Sequence, residues 1–233
     1  TQASRDVDTV VEEYRSALAA LGRTGPYVLA AHSVSFLEAL RWAQNYPEEI
    51  SALVGLDPAT PDAYTGVDLE DSIRQLERLH KPAWKRRLIF GLLARSFLVR
   101  YPIPFRQRRA LRPTAQKNFA SIVWVNESRA LPKNLQQIAQ SDPPTQIPTF
   151  FLLSNGKGAL HPQEEWRTRA LHYLSQFAVS ESQLFDLPHD LYRYRPQTIA
   201  EAIEHFLSSN LPGPSDDNRS EPNSLEECLC STD

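Results

Sequence analysis

Four short strand-like runs, set between stretches with helical periodicity, constrain this chain more than any other feature. They are residues 27–31 (YVLAA), 52–56 (ALVGL), 148–153 (PTFFLL) and 182–187 (SQLFDL). Turn formers bound them: Gly25-Pro26 before the first, Asp57-Pro58 after the second, Ser154-Asn155-Gly156 after the third and Pro188-His189 after the fourth. A short apolar run with such boundaries reads as a strand buried in a parallel sheet. Between the runs, apolar residues recur every three or four positions, the spacing of a helix with one buried stripe. Phe36, Ala39, Leu40 and Ala43 form one stripe, ended by Pro47. Trp166, Ala170, Tyr173, Leu174 and Phe177 form another. Ile199, Ala202, Ile203, Phe206 and Leu207 form a third, opened by Pro196. An earlier stripe runs through Val7, Val10, Val11, Tyr14, Leu18 and Leu21, with Thr9 and Glu12 at capping-box spacing and Gly22 as its stop. This alternation predicts an α/β fold: a mostly parallel sheet with helices on both faces.

The alternation breaks between Asp57 and Ile147. About 90 residues without it are too many for a plain loop, and they predict an inserted, mostly helical cap over the carboxyl ends of the strands. The expected organisation is therefore a core from residues 1–57 and 147–211, a cap over 58–146 and an acidic tail over 212–233. From Gly213 onward there are six acids against Arg219 alone and almost no apolar content, so the tail reads as disordered. The two cysteines, Cys228 and Cys230, both fall there, which leaves no disulfide framework and no zinc-finger spacing.

Charge is uneven. Residues 81–117 hold eleven Lys or Arg and no acid, yet the net charge is −3, so the chain as a whole has no basic signature for nucleic acid. No window approaches 18 uncharged apolar residues, so no spanning helix is predicted. The chain has no Met and starts at Thr1. The expectation is that a reading frame begins further upstream, where any signal or membrane anchor would lie; without one, the default compartment is the cytoplasm.

Ala31-His32-Ser33-Val34-Ser35 sits where the first strand turns into a helix. A nucleophile on so sharp a turn needs small residues two positions before and after it, as in G-x-S-x-G. Here Ala31 and Ser35 replace both glycines. The helix start places the Val34 N–H beside the serine oxygen, where it can stabilise an oxyanion. The alternative for Ser33 is an ordinary helix-capping serine.

The segment GPYVLAAHSVSFLEALRWAQNYPEEISALVGLDPATPDAY resembles the nucleophile-elbow region of α/β-hydrolase-fold enzymes, in particular the capped bacterial esterase, lipase and aminopeptidase-like branch. The resemblance extends over residues 1–211, loosely in the cap. It implies the chain order serine, acid, histidine. Ser33 would be the nucleophile and His189, in FDLPHDLYRYRPQTIAEAIEHFL, the base. The acid of most such enzymes would fall near Gly158, where none stands. Asp57, at the end of a strand, is placed for the role, with Glu164, Glu165 or Asn155 as alternatives. His32 belongs to the elbow, as an oxyanion or substrate-binding residue or a local packing group. His80, His161, His172 and His205 are expected to be solvated or structural. The resemblance also implies further strands upstream of Tyr27, and a loop there carrying a second oxyanion donor. Without them, the first strand would be an exposed apolar edge, and the chain alone would associate and hydrolyse esters poorly.

The implied function is a serine hydrolase acting on a small-molecule ester or amide, with no cofactor and no metal. Residues 88–93 and 97–99, apolar within basic flanks, would suit an acyl chain or a membrane surface; packing on the sheet with arginines in solvent is the plainer alternative. The rival class is a ligand-binding protein of the same fold that has lost catalysis. The oligomeric state is left open.

Overall fold

The computed structural model describes residues 5–80, 121–155 and 163–212, with residues 82, 84–85, 88–90, 110, 113–114 and 117–119 between them. The tail from Gly213 with Cys228 and Cys230, residues 97–99, Gly158 and His161 lie outside the described residues, as does much of the basic stretch. Helix α1 spans Val7–Ala20, strand β1 Tyr27–His32, helix α2 Ser35–Asn45, and strand β2 Ile50–Leu56, which follows a 3-10 turn at Pro47–Glu49. Then come α3 (Leu69–Leu79), α4 (Ile122–Ala139), β3 (Thr149–Leu153), α5 (Gln163–Leu174), β4 (Ser180–Leu184), the short α6 (Leu191–Tyr194) and α7 (Pro196–Asn210).

The four strands form one all-parallel sheet in the order β1-β2-β3-β4. The register pairs His32 with Leu56, Leu56 with Leu152, and Leu152 with Gln183, so the carboxyl ends of β1, β2 and β3 lie side by side. Side chains on alternate positions of a strand point to opposite faces, and both faces of the central strands are covered. Leu53, Phe151 and Leu153 pack against Phe36, Leu40, Ile138, Trp166 and Tyr173 on one face. Ala52, Val54, Phe150 and Leu152 pack against Leu191, Ile199 and Phe206 on the other. All five residues of β3 are buried, which explains why its sequence shows no alternation.

The predicted stripes on α2 and α5 are buried as expected. On α1 only Val7, Val10 and Val11 are buried; Tyr14 is half exposed and Leu21 mostly so, because the helix packs by its first turns. The start of α1 also corrects the expected Thr9–Glu12 box. Asp6 is the cap, and its Oδ1 accepts the Thr9 N–H at 3.1 Å, while Glu12 faces Arg15 and Tyr46. Gly22 stops the helix with φ 66°: its N–H reaches the Ala19 carbonyl, and the Arg23 N–H reaches that of Leu18, the double closure that favours glycine at this point. The last strand runs from Ser180 to Leu184 rather than over 182–187, and all five of its residues are exposed. Backbone pairing with β3, not apolar content, defines it.

Candidate active site

Backbone geometry builds this site. Ser33 follows β1 with φ 55° and Asp57 follows β2 with φ 47°, in a left-handed region that non-glycine residues seldom enter. Each is held by the neighbouring strand: the Ser33 N–H donates to the Leu56 carbonyl at 3.1 Å, and the Asp57 N–H to the Leu152 carbonyl at 2.7 Å. The Ala59 N–H closes back on the Ser33 carbonyl at 2.9 Å. Small residues make the Asp57 turn possible. A Cβ built on Gly55 would lie 2.7 Å from Pro58 Cγ and 2.9 Å from Phe151 Cδ1, so only glycine fits there without displacement.

His189 joins the two. It lies between β4 and α6, 156 residues from Ser33 and 132 from Asp57 in sequence. Its Nδ1 is 2.6 Å from Asp57 Oδ2, and its Nε2 is 2.9 Å from Ser33 Oγ. A carboxylate only accepts, so Nδ1 carries the proton and Nε2 accepts the Ser33 hydroxyl. Asp57 is almost fully buried, at 2% exposure. Burial opposes its ionisation, but hydrogen bonds from His189, the Ser154 N–H and the Ser154 hydroxyl outweigh it. Together they hold the carboxyl below its ordinary value.

His32 contacts the histidine from another side. Its Nε2 donates to the His189 carbonyl at 3.0 Å, and the two rings lie 4.6 Å apart. Tyr192 packs edge-on against His32, and Trp166 edge-on against His189. Burial depresses the His32 pKa, and the hydrogen bond to the His189 carbonyl opposes it without cancelling it. Val34 is the N-cap of α2 with helical φ and ψ; among the described residues no acceptor takes its N–H.

The expected residues therefore come together: Ser33, His189 and Asp57 in one hydrogen-bonded line, with Val34 and His32 beside it. Among the described residues, the alternatives for the acid are engaged elsewhere or exposed. Asn155 donates to Asp186, Glu165 pairs with Arg169, and Glu164 is exposed on α5. Sequence reasoning missed Ser154, which it treated only as a strand terminator. It also passed over the small residues Gly55 and Ala59, which flank Asp57 at the spacing used to recognise Ser33. Among the described residues no cluster of three or more His, Cys, Asp or Glu could hold a metal ion, and no helix is long and apolar enough to cross a membrane.

A parallel sheet covered on both faces, with a turn-borne serine at the end of one strand and a histidine after the last, has the α/β-hydrolase fold. No protein-family model matches the chain. It is 25% identical over 210 residues to YbdG, an uncharacterized protein of Bacillus subtilis (strain 168), across 87% of this chain. The chain spans 64% of that relative's length. Among solved structures it is similar to the Bacillus megaterium epoxide hydrolase, with TM-score 0.63 and 14% identity over 87% of this chain and 76% of that one. It is also similar to MGS-M2, an alpha/beta hydrolase enzyme from a Medee basin deep-sea metagenome library. There the TM-score is 0.60 and the identity 16%, over 89% of this chain and 74% of that one. At these identities the likeness to solved structures establishes the fold, and the chemistry must be argued from the site.

Proposed function

We propose that this chain is a serine hydrolase that cleaves an ester or amide by acyl transfer to water. The observation that carries the reading is the unbroken line Ser33 Oγ, His189 Nε2, His189 Nδ1 and Asp57 Oδ2, with spacings of 2.9 and 2.6 Å. Ser33 Oγ attacks the carbonyl carbon as its proton passes to His189 Nε2. The Val34 N–H stabilises the oxyanion that develops. Collapse of the tetrahedral species breaks the bond to the leaving group, which takes the proton from His189. Water, giving a proton to the same nitrogen, then attacks the acyl-enzyme and releases the acid and Ser33. Asp57 holds the His189 tautomer and faces the imidazolium that forms. His32 ties the backbone of His189 to the elbow. These steps use no metal and no organic cofactor. Residues 58–146, in this reading, are a cap that shapes the substrate pocket.

Several of the similar structures, the Bacillus megaterium one among them, bear the name epoxide hydrolase, and the serine argues against that chemistry here. A Ser33 alkoxide opening an epoxide would form an ether, which water does not readily cleave, so turnover would stop after one event. Attack on an ester leaves an acyl-enzyme that His189 can help water to open. Labelling with an alkyl fluorophosphonate tests the reading: Ser33 is expected to be modified, and Ser33→Ala to be inert. A wild-type chain that takes no label at Ser33 overturns it and favours a ligand-binding protein without hydrolase activity.

A further inference from the structure

We propose that Ser154 is a positioning residue for the proton relay, an inference that rests on the acyl-transfer reading of Ser33. Ser154 directly follows β3 and is buried, at 3% exposure. Two of its donors end on Asp57: the backbone N–H reaches Oδ1 at 3.0 Å, and the hydroxyl reaches Oδ2 at 2.7 Å. The His189 Nδ1 proton points at the same Oδ2. Three donors thus converge on one carboxylate. A carboxylate attached to a strand end can rotate about its last bond. Gripping both oxygens from a single residue of the neighbouring strand fixes its plane, and with it the direction in which Oδ2 presents to His189.

The shared oxygen has a second effect. Oδ2 divides its acceptor capacity between the Ser154 hydroxyl and His189, so neither bond is as strong as it would be alone. The hydroxyl therefore sets how hard Asp57 pulls on the Nδ1 proton. It helps Asp57 stay an anion that orients the ring rather than a base that removes its proton. Ser154 meets the relay at Asp57 and acts through that carboxylate.

The test uses the 233-residue chain and an alkyl fluorophosphonate. Ser154→Ala is expected to slow labelling of Ser33 by about tenfold, the effect of losing one hydrogen bond to a charged group. In an Asp57→Asn background the same change should add less than about twofold, because the group it acts through is gone. An equal slowing in both backgrounds would mean that Ser154 acts by packing, and would overturn the proposal. An independent readout is the proton NMR signal of His189 Nδ1, which should move downfield in Ser154→Ala as Oδ2 loses its competing donor. An unmoved signal also overturns the proposal. If Ser154→Ala does not fold, Ser154→Cys, of similar size and with a weak thiol donor, should give the same two shifts. A wild-type chain that takes no label sinks the acyl-transfer reading instead; the proton signal still reports whether Ser154 sets the His189–Asp57 contact.

Discussion

Ser33 and Asp57 occupy the same backbone conformation at the carboxyl ends of neighbouring strands, with φ of 55° and 47°. Around each, the residues two before and two after are small: Ala31 and Ser35 about Ser33, Gly55 and Ala59 about Asp57. Each N–H is held by the next strand over, Ser33 by Leu56 and Asp57 by Leu152. One turn geometry is thus used twice, once to present a hydroxyl and once, a strand further on, to present a carboxylate.

That repetition makes Gly55 a sensitive position. In Gly55→Ala the new methyl would overlap the buried Pro58 and the fully buried Phe151. Overpacking of this kind costs about 1–3 kcal/mol. A lower melting temperature is expected, with slower fluorophosphonate labelling as Asp57 is displaced. A variant as stable and reactive as wild type would show that the turn has slack.

Asp57→Asn should leave the fold standing and the chemistry crippled. The amide can offer its NH₂ to His189 and stabilise the wrong tautomer, and in comparable relays the loss is about 10⁴ in turnover. The rate of Ser33 labelling measures this directly. Near-normal reactivity would remove Asp57 from the relay.

Acidification should weaken the fold in two separable steps. The folded-state pKa of His32 lies below its ordinary 6.5, chiefly through burial. As pH falls below that value, the unfolded chain takes up a proton that the folded chain resists. Stability there rises with pH and is lost on acidification. Asp57 has the same sign in a lower window: its folded pKa lies below 3.8, so its contribution is intact above that value and lost as pH falls towards the depressed one. Melting temperature measured against pH should therefore decline below 6.5, and His32→Gln should flatten that first decline. An unchanged slope in the variant would assign the decline to other groups.

The edge of the sheet gives a fourth prediction. Among the described residues β1 has a paired neighbour on one side only, and Val28 is 39% exposed on it. An apolar edge strand with free N–H and C=O groups invites pairing with another chain. Val28→Lys is expected to reduce self-association on size-exclusion chromatography; an elution profile identical to wild type would show that the edge is not where copies meet.

Much of this architecture is legible in the residues, for physical reasons that also mark where legibility stops. β2 and β3 announce themselves because both faces are buried, leaving unbroken apolar runs. The stripes on α2 and α5 do so because each packs one face on the sheet. β4 does not: Ser180–Leu184 carries no burial pattern, so the apolar Leu184, Phe185 and Leu187 draw the expected strand along the chain, two residues late at its start and three at its end. Ser33 is marked by its small neighbours and the helix that follows. Asp57 carries the same mark in Gly55 and Ala59, although its place at a strand end is what first identifies it. Ser154 leaves no trace in sequence, since its contribution is two hydrogen bonds whose partner lies 97 residues away.

The separations that bring His189 to Ser33 and Asp57, 156 and 132 residues, have a consequence for how the chain acquires its reactivity. No local segment contains the relay. β1, β2 and β3 must be in register and the segment before α6 docked before the three groups can meet, and closing loops of such length is entropically slow. A partly folded chain would hold the serine on its turn with nothing to draw its proton. Labelling of Ser33 would then count molecules that have completed folding, so its rate of appearance during refolding should lag behind the recovery of helical signal.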